Sequence, residues 1–114
     1  MSRDEAYLLD ILTAARKILL FTDSVTWEQF EQDEILQNAV IRWLEIIGEA
    51  ARSLSDETKN SHPGIPWRGR IGMRNRLIHH YFRVDLTRVW ETVQSDVPAL
   101  VPLLEPLVPP AELG

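Results

Sequence analysis

Apolar residues recur at Leu8, Ile11, Leu12, Ala15, Ile18 and Leu19, a helical spacing that predicts an amphipathic first helix over about residues 3–21. Ser2 and Glu5 stand where a capping box would open it. Thr22 to Thr26 reads as a polar connector, and Thr26 with Gln29 predicts a second capping box opening a short turn that carries Trp27 and Phe30. A longer helix is expected from Asp33 to about Leu54, with its stripe at Leu36, Val40, Trp43, Leu44, Ile47, Ala51 and Leu54.

Residues 55–66 interrupt the pattern. Ser55-Asp56-Glu57 can start one short turn, and the run from Asn60 to Pro66 is loop chemistry. Pro66 suits the first turn of a third helix, expected from Trp67 to Tyr81. Asp85 is a cap for a fourth, with Leu86, Val89, Trp90, Val93 and Val97 on one side. Pro98, Pro102 and Pro106 each remove a backbone donor from the apolar tail, so a kinked or broken helix is expected there. The expected fold is an all-α bundle of four to five helices, spanning residues 1–114 as a single domain.

Composition narrows the class. Apolar residues make up 45% of the chain and charged residues 25%, ordinary for a soluble globular protein. The absence of cysteine excludes disulfides, thiol nucleophiles and thiolate metal sites, and fits a reducing cytoplasm. The acidic start, Met1 to Glu5, does not read as a signal peptide, and no apolar run is long enough to cross a membrane. The net charge of −5 argues against a general nucleic-acid binder. Its distribution reverses that argument. Residues 68–88 hold six arginines against the single acid Asp85, a net of +5, so the rest of the chain carries −10. A positive face on a negative body can engage a polyanion on one side only.

The candidate chemistry lies in that window. Met73 to Asp85 reads MRNRLIHHYFRVD and crowds Arg74, Asn75, His79 and Tyr81 into one basic segment. With Arg74 as zero on a helical wheel of about 100° per residue, Tyr81 falls near 340° and His79 near 140°. Arg74 and His79 therefore do not stack on one regular helix. They converge if the helix ends or bends near His79, or if two copies face each other across a twofold axis. Such a site suits RNA cleavage without a metal: a neutral imidazole takes the 2′-hydroxyl proton while guanidinium groups hold the phosphate. Arg70, Arg76 and His80 are the accompanying phosphate-binding candidates. The residues alone leave a structural role open, with His79 capping a helix or filling a polar gap. No metal site is expected, because His62 lies in the loop and no His-Glu-x-x-His pair occurs. The glycines match neither nucleotide-binding fingerprint.

Arg74, His79 and Tyr81 fit an Arg-x4-His-x-Tyr pattern, and the segment resembles the HepT branch of the HEPN superfamily. The resemblance extends to Asn38-Ala39-Val40, Leu44 to Ala50, His62-Pro63, Ile65-Pro66-Trp67, Ile71 to Asn75, Val84-Asp85, Val89-Trp90 and Asp96-Val97-Pro98. It implies a HEPN-like helical bundle with the site at a homodimer interface. It also implies a cytoplasmic, metal-independent ribonuclease toxin needing no cofactor, acting on tRNA or other RNA and leaving a 2′,3′-cyclic phosphate. The implied partner is a nucleotidyltransferase antitoxin that transfers AMP to Tyr81. Arg74 and His79 are then catalytic, with Asn75 as polar accessory, and His80 offers a second imidazole. Two other classes stay in view: a non-catalytic nucleotide- or substrate-binding partner of a nucleotidyltransferase, and a purely structural interaction domain.

Overall fold

A computed structural model of the chain describes residues 2–67, 79–80 and 83–109. Helix α1 spans Arg3–Thr22, α2 Trp27–Gln32, α3 Glu34–Ser53 and α4 Asp56–Ser61. Strands β1 (His79–His80) and β2 (Arg83–Val84) follow. Helix α5 (Leu86–Glu91) runs through a π-helical turn (Thr92–Asp96) into α6 (Val97–Leu104) and a 3₁₀ turn (Glu105–Leu107). Counting the C-terminal run as one interrupted helix, the described residues form five helical units, in agreement with the expected all-α bundle.

Short polar side chains start the helices where the sequence placed them. Ser2 Oγ accepts from the Glu5 amide at 3.1 Å, and Asp33 Oδ1 from that of Leu36 at 3.0 Å. Thr26 and Gln29 close a complete capping box. Asp85 caps α5 through the Arg88 amide at 3.2 Å. Each bond satisfies one of the amide donors that a helix start leaves without a partner. At the α2–α3 corner, Gln37 Nε2 donates to the carbonyls of Phe30 and Glu31, both at 2.9 Å. The exposed carbonyls at the end of α2 are thereby satisfied from the next helix.

The core forms where α1 packs antiparallel on α3, with α6 against α1. Ile11, Ala15 and Ile18 of α1 are fully buried, as are Val40 of α3, Phe30 of α2, Val89 of α5 and Leu104 of α6. Nearly every residue of the expected stripes is buried or packed against this core. Trp27, Phe30 and Trp90 form an aromatic cluster, with the Phe30 and Trp90 ring centres 4.9 Å apart. This cluster ties α2 to α5 across more than half the chain.

Two expectations change in detail. The helix expected from Trp67 to Tyr81 does not continue through His79–His80, which is extended and pairs antiparallel with Arg83–Val84. Tyr, Phe and Val in this stretch favour extended backbone over helix. Second, α4 continues through Asn60 and Ser61, which were expected in the loop. The tail is a broken helix, as expected, and shows how the bundle accommodates its prolines. Pro98 has no amide to donate, and its ring would crowd the carbonyl of residue 94 in a regular helix. The π turn just before it widens the helix, with the Val97 amide reaching back to the Thr92 carbonyl. Pro102 sits inside α6, and the run ends in a 3₁₀ turn at Pro106. Among the described residues no helix is long and apolar enough to cross a membrane.

Phe30→Ala should destabilise the protein by about 3–5 kcal/mol, the usual cost of emptying a fully buried aromatic site. Urea unfolding followed by tryptophan fluorescence measures it. A change under about 1 kcal/mol would show that the cluster does not couple α2 to α5.

Candidate active site

The expected site residues divide between described and undescribed positions. Arg70, Arg74, Asn75, Arg76 and Tyr81 lie outside the described residues. His79 and His80 are placed by their backbone. His79 pairs with Val84 and His80 with Arg83, so two residues, Tyr81 and Phe82, connect the strands. The backbone at His79 is extended.

The approach to the segment is tightly built. The His62 carbonyl accepts from the Ile65 amide at 3.2 Å and from Trp67 Nε1 at 3.1 Å. Trp67 is buried, and its ring closes the His62–Trp67 loop onto the core. A groove of about 450 Å³ lies along this loop, walled by Lys59, Asn60, Pro63, Ile65, Pro66 and Trp67.

Upstream, Asp4 in the first turn of α1 braces α4. Its carboxylate accepts from the Ser55 amide at 3.2 Å and from the hydroxyls of Ser55 and Thr58. Ser55 is the cap of α4, so this brace ties the start of α1 to the helix that leads into the loop. The Ser55 hydroxyl, then the Thr58 hydroxyl, hold the Asp4 carboxyl below its ordinary value.

On the exit side lies a second groove, of about 340 Å³. Its polar wall is Glu31, Gln32, Glu34, Gln37 and Asn38, from the α2–α3 corner. Its apolar wall is Ile41, Val84 and Leu86. Val84 is the residue paired with His79, so this groove opens one strand away from the expected general base. Residues 31–41 and 84–86 are far apart along the chain, and no local pattern joins them.

A model of the family described as ribonuclease HepT-like matches residues 11–107. The chain belongs to the HepT-like ribonuclease family. A Thermococcus cleftensis protein named as a probable ribonuclease HepT is 48% identical over 94 residues, 82% of this chain and 86% of that protein. A Methanocaldococcus jannaschii protein named as a candidate RNase is 40% identical over 96 residues, 84% of this chain and 88% of that one. A similarly named protein of Caldanaerobacter subterraneus is 37% identical over 100 residues, covering 88% and 89%. No solved structure matches at comparable stringency. The HepT-like match spans the whole Arg-x4-His-x-Tyr segment and both grooves.

Asp4→Asn should lower stability at neutral pH by loosening the α1–α4 brace. Because the folded-state pKa is depressed, the wild-type contribution is present above the ordinary carboxyl value of 3.8 and is lost as pH falls below it. Urea midpoints of the two proteins should therefore differ most near neutrality and converge in acid. A difference that does not change with pH would remove Asp4 ionisation from the account.

Proposed function

We propose that this HepT-like protein is a metal-independent endoribonuclease and the toxin of a toxin–antitoxin pair. The observation that carries the reading is the match to the ribonuclease HepT-like family over residues 11–107, with relatives named as ribonucleases. Its substrate is RNA, with tRNA as the first candidate, and its place of action is the cytoplasm.

The chemistry follows from the residue types. His79, as a neutral imidazole, takes the proton of a ribose 2′-hydroxyl. The freed oxygen attacks the adjacent phosphorus, and the bond from phosphorus to the 5′-oxygen breaks. The products are a 2′,3′-cyclic phosphate and a 5′-hydroxyl, whose oxygen takes up a proton from water or an imidazolium. Arg74 holds the phosphate and offsets the charge that develops on it. Asn75 supplies a neutral amide beside Arg74, and Arg70, Arg76 and His80 extend the phosphate-binding surface. DNA lacks the 2′-hydroxyl and is not cut by this route.

Two copies complete the site at a homodimer interface. The Phe21 ring stacks on Trp43 at 5.4 Å on the outside of α1 and α3, and Phe21 is more than half exposed. Apolar aromatic surface of this kind favours a subunit contact. The antitoxin is a nucleotidyltransferase that transfers AMP to the Tyr81 hydroxyl. The added phosphate and base would block RNA by charge and volume.

The test is cleavage of end-labelled tRNA in EDTA by protein whose intact mass shows no AMP. Wild type should leave a cyclic phosphate, and His79→Ala and Arg74→Ala should each lower the rate by about 10²-fold or more while keeping wild-type helicity. Tyr81→Phe should retain cleavage and resist modification. An active His79→Ala protein would remove His79 from the mechanism.

A further inference from the structure

In the β1–β2 pair, His80 stands directly opposite Arg83, and His79 opposite Val84. Opposite positions of an antiparallel ladder share a face, and successive residues alternate between the two faces. Val84 lines the groove at the α2–α3 corner with Ile41 and Leu86. Arg83 therefore belongs to the other face, turned from that corner, and it is exposed. Its Cα lies about 4.5–5.5 Å from that of His80, as opposite residues do. Its charge is not neutralised locally. Arg83 makes no ion pair with another described residue. Asp85, the single acid of residues 68–88, sits just beyond Val84 and has Oδ1 on the Arg88 amide as the cap of α5. The exposed cations Arg16 and Arg42, by contrast, pair with Glu105 and Glu49.

We propose that Arg83 is a phosphate-binding residue of the RNA site, holding the backbone phosphate next to the one that is cut. The inference rests on the nuclease reading, which gives His80 its place on the phosphate-binding surface. It adds a residue that the Arg-x4-His-x-Tyr pattern does not contain. A guanidinium is a planar fork of N–H donors that accepts nothing, so it meets a phosphate through paired parallel bonds. The ladder fixes the Arg83 backbone at one separation from His80, and a strand is a more precise mount than a free loop. RNA held at the scissile phosphate is thus gripped at a second point along its backbone. That contact is the same before and during bond cleavage. Such uniform binding lowers KM and leaves kcat unchanged. Phosphate contacts position a nucleic acid without reading its sequence, so Arg83 adds affinity and register but no base preference.

The experiment uses full-length protein free of AMP. Binding is measured at several salt concentrations with a 2′-O-methyl uridine decamer, which cannot be cut, and cleavage of tRNA is followed in EDTA. One phosphate contact on a single strand contributes about 0.7 to the slope of log affinity against log salt. Arg83→Gln should lower the slope by about that amount, weaken binding about fivefold at about 0.1 M salt, and raise KM for tRNA by a similar factor with kcat held within about twofold. Arg83→Lys keeps the charge and should recover most of the slope. Arg16→Gln removes the same charge elsewhere and should leave slope and KM at wild-type values. Arg83 is exposed, so folding should be preserved, and circular dichroism checks it. A reduced slope in Arg83→Gln with no cleavage of tRNA by wild type would keep the phosphate contact and end the nuclease reading. Cleavage by wild type with slope and KM unchanged in Arg83→Gln, or an equal loss in Arg16→Gln, would overturn the contact and leave the nuclease reading standing. Wild type that neither binds the decamer nor cuts tRNA would overturn both.

Discussion

The burial of Phe30 between α2 and α5 is the constraint on which the site geometry depends. Its ring is wholly enclosed and lies 4.9 Å from Trp90, with Trp27 beside both, 6.3 Å from that indole and 6.4 Å from the Phe30 ring. Non-directional burial supplies most of the energy, and offset aromatic contact adds to it. The consequence is positional. α2 carries Glu31 and Gln32 of the exit groove, and α5 begins one residue after β2. Holding Phe30 against Trp90 sets the distance between Glu31 and Val84, and through the β1–β2 pair it sets where the backbone of His79 lies.

A second brace acts at the other end of the segment. Asp4 holds the cap of α4, and Trp67 closes the loop that follows by bonding the His62 carbonyl. The basic segment is thus entered from one anchored loop and left through one anchored helix. Charge adds an asymmetry. Six of the ten arginines fall in residues 68–88 beside the single acid Asp85, whereas Glu31 and Glu34 line the groove that Val84 closes.

Much of the fold was legible because it is locally encoded. Ser2, Thr26, Asp33 and Asp85 each cap a helix by bonding an amide three residues on, and that pattern needs no knowledge of the rest of the chain. The stripes on α1, α3 and α5 likewise follow from helical period alone. The helix expected through His79 failed for a related reason. Its apolar stripe continued in phase, while the competing signal was a few extended-favouring residues and a pairing that shows only when the chain turns back on itself. The prolines marked a disturbance in the tail, but its form, a π turn taking up the strain ahead of Pro98, depended on α6 having to stay packed against α1.

The sequence by itself determined the helical class, the helix starts, the core faces and the family, which its residues 11–107 match. These are properties of short spans, set by hydrogen-bond capping, side-chain periodicity and residue type. The tertiary structure alone decided that His79 pairs with Val84 in extended backbone, that Asp4 braces α4 and that Glu31 and Val84 share a groove. Each joins residues that no local interaction links, and only the closing of the core around Phe30, Ile11 and Ile18 brings their elements together.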